Sequence, residues 1–186
     1  MKIAIIAKKG GVGKTTLCIL LHEALKQTGQ SVAVRDYDSQ GSASKSLARI
    51  NGTRETPGAK YDILLIDTPP SLTLPATPAA VSEAQIILIP TSPSPLDLWE
   101  AEEAAQFSRS KNPKAVIRFV LNKIKTNTIL ADSAASQLSQ LSAPVLTTSL
   151  VDRQSYQHAS LTGWDSLDTK AQTELLQFTV AVTSLR

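Results

Sequence analysis

The fold is decided by a glycine-rich stretch near the start of the chain, Lys8-Lys9-Gly10-Gly11-Val12-Gly13-Lys14-Thr15-Thr16. It follows the apolar run 3–7 and opens an amphipathic segment, so it predicts a strand, a loop and a helix in succession. Glycines allow the loop backbone to bend until successive N–H groups point at phosphate oxygens, and the helix N-terminus adds positive dipole. The stretch follows the phosphate-loop pattern G-x-x-x-x-G-K-[ST], except that Lys8 occupies the first glycine position.

This loop predicts contacts with a nucleoside triphosphate. Lys14 is expected to reach the β- and γ-phosphates, and the Thr15 hydroxyl is expected to bind Mg²⁺. A glycine-rich turn with a chance lysine is the competing interpretation, but it does not account for seven matching residues in a strand–loop–helix context. The predicted nucleotide-binding residues of the loop are Lys9, Gly10, Gly11, Val12, Gly13, Lys14, Thr15 and Thr16.

The rest of the chain alternates short apolar runs with amphipathic ones. The predicted strands are 2–7, 31–36, 62–67, 85–90, 115–121 and 144–149, all rich in Ile, Val and Leu. Strands that are apolar on both faces are typical of parallel sheets covered by helices. Helices are predicted after the loop, near residue 42, and over 101–108, 130–141 and 167–185. We therefore expect an α/β fold: one P-loop NTPase domain over 1–186, with a mostly parallel twisted sheet and helices on both faces.

The composition excludes several classes of protein. The 186 residues are 42% hydrophobic and carry a net charge of +3, which is typical of a folded globular chain and not of disorder. No apolar run approaches the roughly 18 residues of a membrane span, so a cytoplasmic protein is expected. The single cysteine, Cys18, cannot form an internal disulfide or hold a zinc or iron–sulfur site alone.

Three aspartates follow predicted strands. Asp36 and Asp38 stand in the segment D-Y-D-S-Q after the second strand, and alternation along an extended strand end places both on one side. Such a pair can orient a water molecule and help to hold Mg²⁺, while capping of the helix near Ser42 is the competing interpretation. Asp67 ends the apolar run 63–66 at the sheet edge where ligands of open α/β sheets bind, and it is predicted to bind Mg²⁺ through water.

These motifs, in this order, resemble the deviant Walker A ATPases of the ParA/MinD family. The segments that carry the resemblance are K-G-G-V-G-K-T-T, D-Y-D-S-Q and I-L-L-I-D-T-P-P, with Ser39 in place of the family's usual proline. The resemblance covers nearly the whole chain and implies ATP and Mg²⁺ as cofactors. It also implies that Lys9 is the family's signature lysine, which reaches the nucleotide of the other subunit in an ATP-bound, face-to-face dimer.

The resemblance implies catalytic roles as well. Asp38 would activate water, Asp36 would lie nearer the metal, and segment 68–72 would sense the γ-phosphate. Asn122 stands where family members read the adenine edge, although a strand-end turn residue is nearly as good an interpretation. Segment 147–163 resembles the one that closes the adenine pocket. The short interval 41–60 identifies the chain as a minimal, ParA-type member.

Such short members include ATPases of plasmid partition and of carboxysome spacing. The implied partners are a second copy of the chain with ATP, nucleoid DNA bound without sequence preference, and a ParB-like or carboxysome adaptor protein that stimulates hydrolysis. The implied location is the cytoplasm, on the nucleoid. From Arg109 to Lys125 the chain has six basic residues and no acidic one, which favours contact with phosphates, although a solvated face is the ordinary interpretation. The DNA-binding candidates are Arg109, Lys111, Lys114, Arg118, Lys123, Lys125, Arg153 and Arg186.

Other functions are open on the same fold. Recruitment to a membrane, as in the MinD branch, needs a basic amphipathic tail, and after residue 167 the basic residues are only Lys170 and Arg186. Membrane contact is therefore not expected. A small-molecule ligase would share the phosphate loop, but Lys9 and the D-Y-D-S-Q segment fit it less well. Reductases of this fold need paired cysteines and its kinases end in a tyrosine cluster, and the sequence has neither.

Overall fold

The computed structural model describes residues 1–124 and 141–185. Its centre is a five-stranded sheet in the order β2-β3-β1-β4-β5, and every neighbouring pair runs parallel. The expected parallel α/β architecture is therefore confirmed. The strands are β1 (Lys2–Ile5), β2 (Val32–Asp36), β3 (Ile63–Asp67), β4 (Ile86–Thr91) and β5 (Val116–Leu121).

Helices cover the sheet on both faces. Side chains alternate along each strand, so Ile3 and Ile5 of β1 enter one apolar core while Ala4 enters the other. The first core contains residues of α1, α2, α5 and α6, and the second contains residues of α3 and α4. The described helices are α1 (Lys14–Gln27), α2 (Ser42–Arg49), α3 (Ala76–Glu83), α4 (Pro95–Lys111), α5 (Gln154–Thr162) and α6 (Thr169–Thr183), with a 3₁₀ turn over Trp164–Ser166.

The predicted sixth strand, 144–149, is wrong. The segment makes one parallel bridge to β5, between Val145 and Phe119, and bonds to β5 again only where the Leu150 N–H donates to the Leu121 carbonyl at 2.9 Å. The Leu146 N–H donates to the Phe119 carbonyl, so the segment advances four residues to the Leu150 donor while β5 advances two residues between the acceptors. The segment therefore bulges away and no continuous ladder forms. The predicted helix 130–141 lies outside the described residues except at its last position.

The last helix docks onto the domain, as its apolar stripe predicts. Ala171, Leu175, Phe178 and Val182 of α6 are all buried in the core that contains α1. The Asp168 carboxylate starts the helix by accepting the Ala171 N–H at 2.7 Å. No helix among the described residues is both long and apolar enough to cross a membrane.

Candidate nucleotide-binding site

The glycine-rich loop connects β1 to α1 at the carboxyl edge of the sheet. Gly11 and Gly13 have φ angles of 81° and 93°, a left-handed conformation that residues with a side chain rarely adopt. A Cβ atom on Gly13 would also lie 2.5 Å from the Asn122 side-chain nitrogen. The loop geometry therefore requires glycine at position 13, and α1 begins immediately after it.

Lys14 lies inside the site rather than on its surface. It is 6% exposed, and its ammonium donates to the Lys9 carbonyl at 3.2 Å. Burial lowers the pKa of Lys14, while the charges of Asp67 and Asp38 act in the opposite direction. A partly desolvated cation at the N-terminus of a helix is suited to receive phosphate oxygens.

Thr15 and Asp67, the two residues predicted to bind Mg²⁺ from the loop and from β3, are in contact. The Thr15 hydroxyl donates to one Asp67 carboxylate oxygen at 2.7 Å, and Asp67 is fully buried. The other oxygen, Oδ1, is buried without a hydrogen-bond partner among the described residues. Burial raises the pKa of Asp67 to about 7. A hydroxyl and an unpartnered carboxylate oxygen fit Mg²⁺, which takes one or two protein oxygens beside phosphate and water.

The two aspartates after β2 have different surroundings. Asp38 lines the cavity, and its carboxylate accepts the Gln40 N–H at 3.0 Å. Asp36 accepts the Asp38 N–H at 3.1 Å and the Ser44 N–H at 2.8 Å, and the second contact satisfies one N–H in the first turn of α2. The Ser44 contact belongs to the capping interpretation of Asp36, the Asp38 contact is a local turn before the helix, and the metal role of Asp36 stays a prediction.

A cavity of about 450 Å³ opens beside the loop. Its polar end is the loop itself, and its other wall is the segment Leu150–Arg153 with Tyr156 and Gln157 of α5. Pro70, from the predicted γ-phosphate sensor 68–72, also faces it. The loop end of this cavity suits phosphates, and the other wall offers both apolar side chains and polar groups to a base.

Asn122 and Lys123 line the cavity and hydrogen-bond to the loop backbone. The Asn122 amide donates to the Val12 carbonyl at 2.9 Å, and the Lys123 ammonium donates to the Gly11 carbonyl at 2.7 Å. Lys123, one of the DNA-binding candidates, is therefore engaged at the nucleotide site. Sequence reasoning missed this contact, because a lysine just after a strand carries no signal for which backbone it meets.

Glu174 of α6 is a second residue that sequence reasoning missed. Its carboxylate accepts the Val151 N–H at 2.9 Å and pairs with the Arg153 guanidinium at 2.9 Å. The guanidinium also lies 5.9 Å from the centre of the Tyr156 ring. Glu174 thus fixes the cavity wall opposite the loop. A single acidic residue on an amphipathic helix gives no indication of such a role.

The remaining basic candidates do not form one cluster around the site. The Arg109 guanidinium donates to the Ser142 carbonyl at 2.7 Å, and that of Arg118 donates to its neighbour's carbonyl in β5. Lys111 and Lys114 are exposed: Lys111 ends α4, and Lys114 lies in the connection to the amino end of β5. Lys125 and Arg186 lie outside the described residues.

Comparison with known proteins gives a family and a relative of similar length. The family described as the CobQ/CobB/MinD/ParA nucleotide binding domain (CbiA) matches residues 3–164. The chain is also 31% identical over 182 residues to the maintenance of carboxysome distribution protein A of Halothiobacillus neapolitanus. That match covers 87% of this chain and 84% of the relative.

Solved structures share the fold at low sequence identity. A putative plasmid partition protein from Borrelia burgdorferi bound to AMPPNP has a TM-score of 0.73 at 17% identity, over 98% of this chain and 97% of that one. Cobyrinic acid a,c-diamide synthase from Mycobacterium smegmatis, with a bound ATP analogue and magnesium, has a TM-score of 0.78 at 17% identity, over 98% and 93%. The two differ in function, so the fold does not choose between them. Family membership rests on the sequence match, which includes the loop and the three aspartates: the chain belongs to the CobQ/CobB/MinD/ParA nucleotide-binding family.

Proposed function

We propose that this chain is a ParA-type positioning ATPase of the cytoplasm. With ATP and Mg²⁺ bound it forms a dimer that binds nucleoid DNA without sequence preference. An adaptor protein on the cargo stimulates ATP hydrolysis, and the dimer then dissociates and leaves the DNA. Repeated binding and release move or space the cargo.

The observation that carries the proposal is the separation of two lysines of the loop. Lys14 lines the nucleotide cavity, whereas Lys9 does not. The Lys9 ammonium instead contacts Asp97 of α4, outside the cavity. A lysine beside the loop but outside its own cavity would reach a nucleotide bound to a second copy once it leaves its contact on α4. A positive charge brought to the transferred phosphoryl group stabilises the transition state, so hydrolysis would be coupled to dimerisation.

The residues of the cavity supply the other parts of an ATPase. Lys14 would bind the β- and γ-phosphates, and Asp38, which lines the same cavity, would orient the attacking water. Thr15 and Asp67 would hold Mg²⁺, with Asp36 close by. When bound, Mg²⁺ supplies positive charge at the phosphate oxygens.

The cargo is proposed from the relative of similar length. The Halothiobacillus protein is named for carboxysome distribution, and its match covers most of both chains. We therefore favour a protein microcompartment as cargo, with an adaptor protein on its surface. A plasmid carrying a ParB-like adaptor is the second possibility on the same mechanism.

The testing experiment measures DNA binding in each nucleotide state. Asp38→Ala should bind ATP but hydrolyse it poorly, and so should accumulate the dimer. We expect this variant to bind a labelled duplex of random sequence with ATP and Mg²⁺ but not with ADP. Since phosphate contacts release counterions, binding should weaken at least about tenfold between 50 and 200 mM salt.

Lys14→Ala is the matched control, because it should lose nucleotide binding and with it DNA binding in every condition. Equal DNA binding by Asp38→Ala with ATP and with ADP would contradict control of DNA binding by the bound nucleotide. Absence of binding in both would contradict the DNA-based function. Liposome co-sedimentation and ligase assays would then test the membrane and small-molecule alternatives.

A further inference from the structure

Three acidic side chains of α4 face the lysines that precede the glycines of the loop. Asp97, Glu100 and Glu103 are spaced three residues apart, so they lie along one side of the helix. Lys8 pairs with Glu103 at 2.7 Å and Lys9 pairs with Asp97 at 2.7 Å. The loop is therefore tied to α4 by two ion pairs.

The two pairs differ in how firmly the acid is held. The Asp97 side chain is 14% exposed, and its second oxygen accepts the Ser92 hydroxyl at 2.5 Å. The Glu103 side chain is 57% exposed and has no second partner among the described residues. Asp97 is therefore fixed at the start of α4, whereas Glu103 is a solvated surface residue.

This geometry decides where Lys9 points in a single copy of the chain. The hydrogen bond with Asp97 raises the pKa of Lys9, which therefore stays charged over the physiological range. Its ammonium is directed onto its own helix α4, away from its own cavity. An ammonium held there is not extended toward a second copy.

We propose that Asp97 is a positioning residue, which holds Lys9 against its own subunit until a second copy brings a bound triphosphate. The inference rests on the proposed ATP-dependent dimer. Each Lys9 must leave Asp97 before it can reach the partner's nucleotide, so two ion pairs break for every dimer formed. The Lys9–Asp97 pair thus opposes dimerisation and keeps the free chain monomeric.

Sedimentation equilibrium with a non-hydrolysable ATP analogue and Mg²⁺ tests this directly. Asp97→Asn keeps the size of the side chain and the acceptor for Ser92 but removes the charge that holds Lys9. A partly exposed ion pair changes an equilibrium constant by a few-fold, and two are lost per dimer. We expect the dimer dissociation constant to fall by about 3- to 20-fold, and expect the same direction for Asp97→Ser.

Glu103→Gln is the matched control, because it removes the neighbouring Lys8 pair and should leave the dissociation constant unchanged. The double variant Lys9→Ala/Asp97→Asn tests whether Asp97 affects dimerisation through Lys9. If Asp97 acts through Lys9, the double variant should dimerise as poorly as Lys9→Ala alone. A merely structural role for Asp97 would weaken the dimer or destabilise the chain, and would not tighten the dimer.

The outcomes separate this inference from the function on which it rests. If the unmodified chain stays monomeric with the analogue at every concentration, the proposed dimer is wrong and the inference falls with it. If the unmodified chain dimerises and Asp97→Asn dimerises equally or less tightly, only the role of Asp97 is wrong. Tightening by Asp97→Asn in the absence of Lys9 would also overturn it.

Discussion

The carboxyl group of Asp67 is the most strongly perturbed acid of the site. It is fully buried, it accepts the Thr15 hydroxyl at 2.7 Å, and burial raises its pKa to about 7. The ordinary value for an aspartate is 3.8. Between these values the folded chain binds a proton that the unfolded chain has released. Protonation of Asp67 therefore stabilises the folded chain. This contribution to the free energy of unfolding is fully present below pH 4 and is lost as the pH rises through 7.

Replacing this carboxyl with an amide should remove that pH dependence. Without nucleotide and Mg²⁺, we expect Asp67→Asn to be more stable than the unmodified chain at pH 8, by about 2 to 4 kcal/mol. The difference should shrink steadily toward pH 5. Urea unfolding at several pH values measures it, with Asp62→Asn as a control outside the cavity. Parallel stability curves for Asp67→Asn and the unmodified chain would contradict the raised pKa.

At the scale of elements, the start of α2 depends on the end of β2. Gly41 precedes the helix with φ 64° and has no side chain to cap it. The Asp36 carboxylate, at the end of the strand, instead accepts the Ser44 N–H at 2.8 Å. One side chain thus joins the strand to the next helix and keeps Asp38 between them at the cavity.

Two substitutions of Asp36 should separate capping from catalysis. Asp36→Ala leaves the Ser44 N–H without its acceptor and should lower the free energy of unfolding by about 1 to 2 kcal/mol. Asp36→Asn retains an acceptor oxygen and should lose less than half as much. Chemical denaturation measures both. If Asp36 also serves the metal, Asp36→Asn should remain stable yet hydrolyse ATP slowly, whereas equal stability losses in the two variants would rule out the cap.

At the scale of the whole molecule, the tertiary structure divides the basic candidates into engaged and free groups. Lys123 binds the loop and Arg153 pairs with Glu174, both beside the nucleotide cavity. Lys111 and Lys114 are exposed and have no ion-pair partner among the described residues. A lysine without a protein partner gives up no interaction when it meets a DNA phosphate, so this second group is the better candidate for DNA contact.

Reversal of these two charges should therefore weaken DNA binding. We expect Lys111→Glu/Lys114→Glu to lower the salt slope by about 1 for each lost phosphate contact, hence by up to about 4 in a dimer. ATP affinity should be unchanged. Arg153→Ala is the contrasting variant, since it should lower ATP affinity severalfold. Fluorescence anisotropy with labelled duplex measures DNA binding, and with labelled nucleotide it measures ATP affinity. An unchanged salt slope for Lys111→Glu/Lys114→Glu would exclude Lys111 and Lys114 as DNA contacts.

Much of the architecture could be predicted because it depends on local patterns. The glycines, Lys14 and Thr15 are consecutive, and a phosphate loop is a local backbone conformation. The apolar runs identify the five strands, because strands buried on both faces leave no polar alternation. The sixth strand was predicted wrongly from the same apolar signal. Whether an apolar segment forms a strand depends on continuous backbone hydrogen bonding to its neighbour, here β5, and residue type does not reveal that.

The sequence by itself therefore determined the parallel α/β class, the phosphate loop and the three aspartates at the ends of strands. Only the tertiary structure decided the partners of these residues: Lys9 meets Asp97, 88 positions away, and Arg153 meets Glu174 across 21. The physical reason is that electrostatic attraction depends on distance in space and not on separation along the sequence. Any lysine can pair with any carboxylate, and the packing of α4 and α6 against the sheet determines which of them meet.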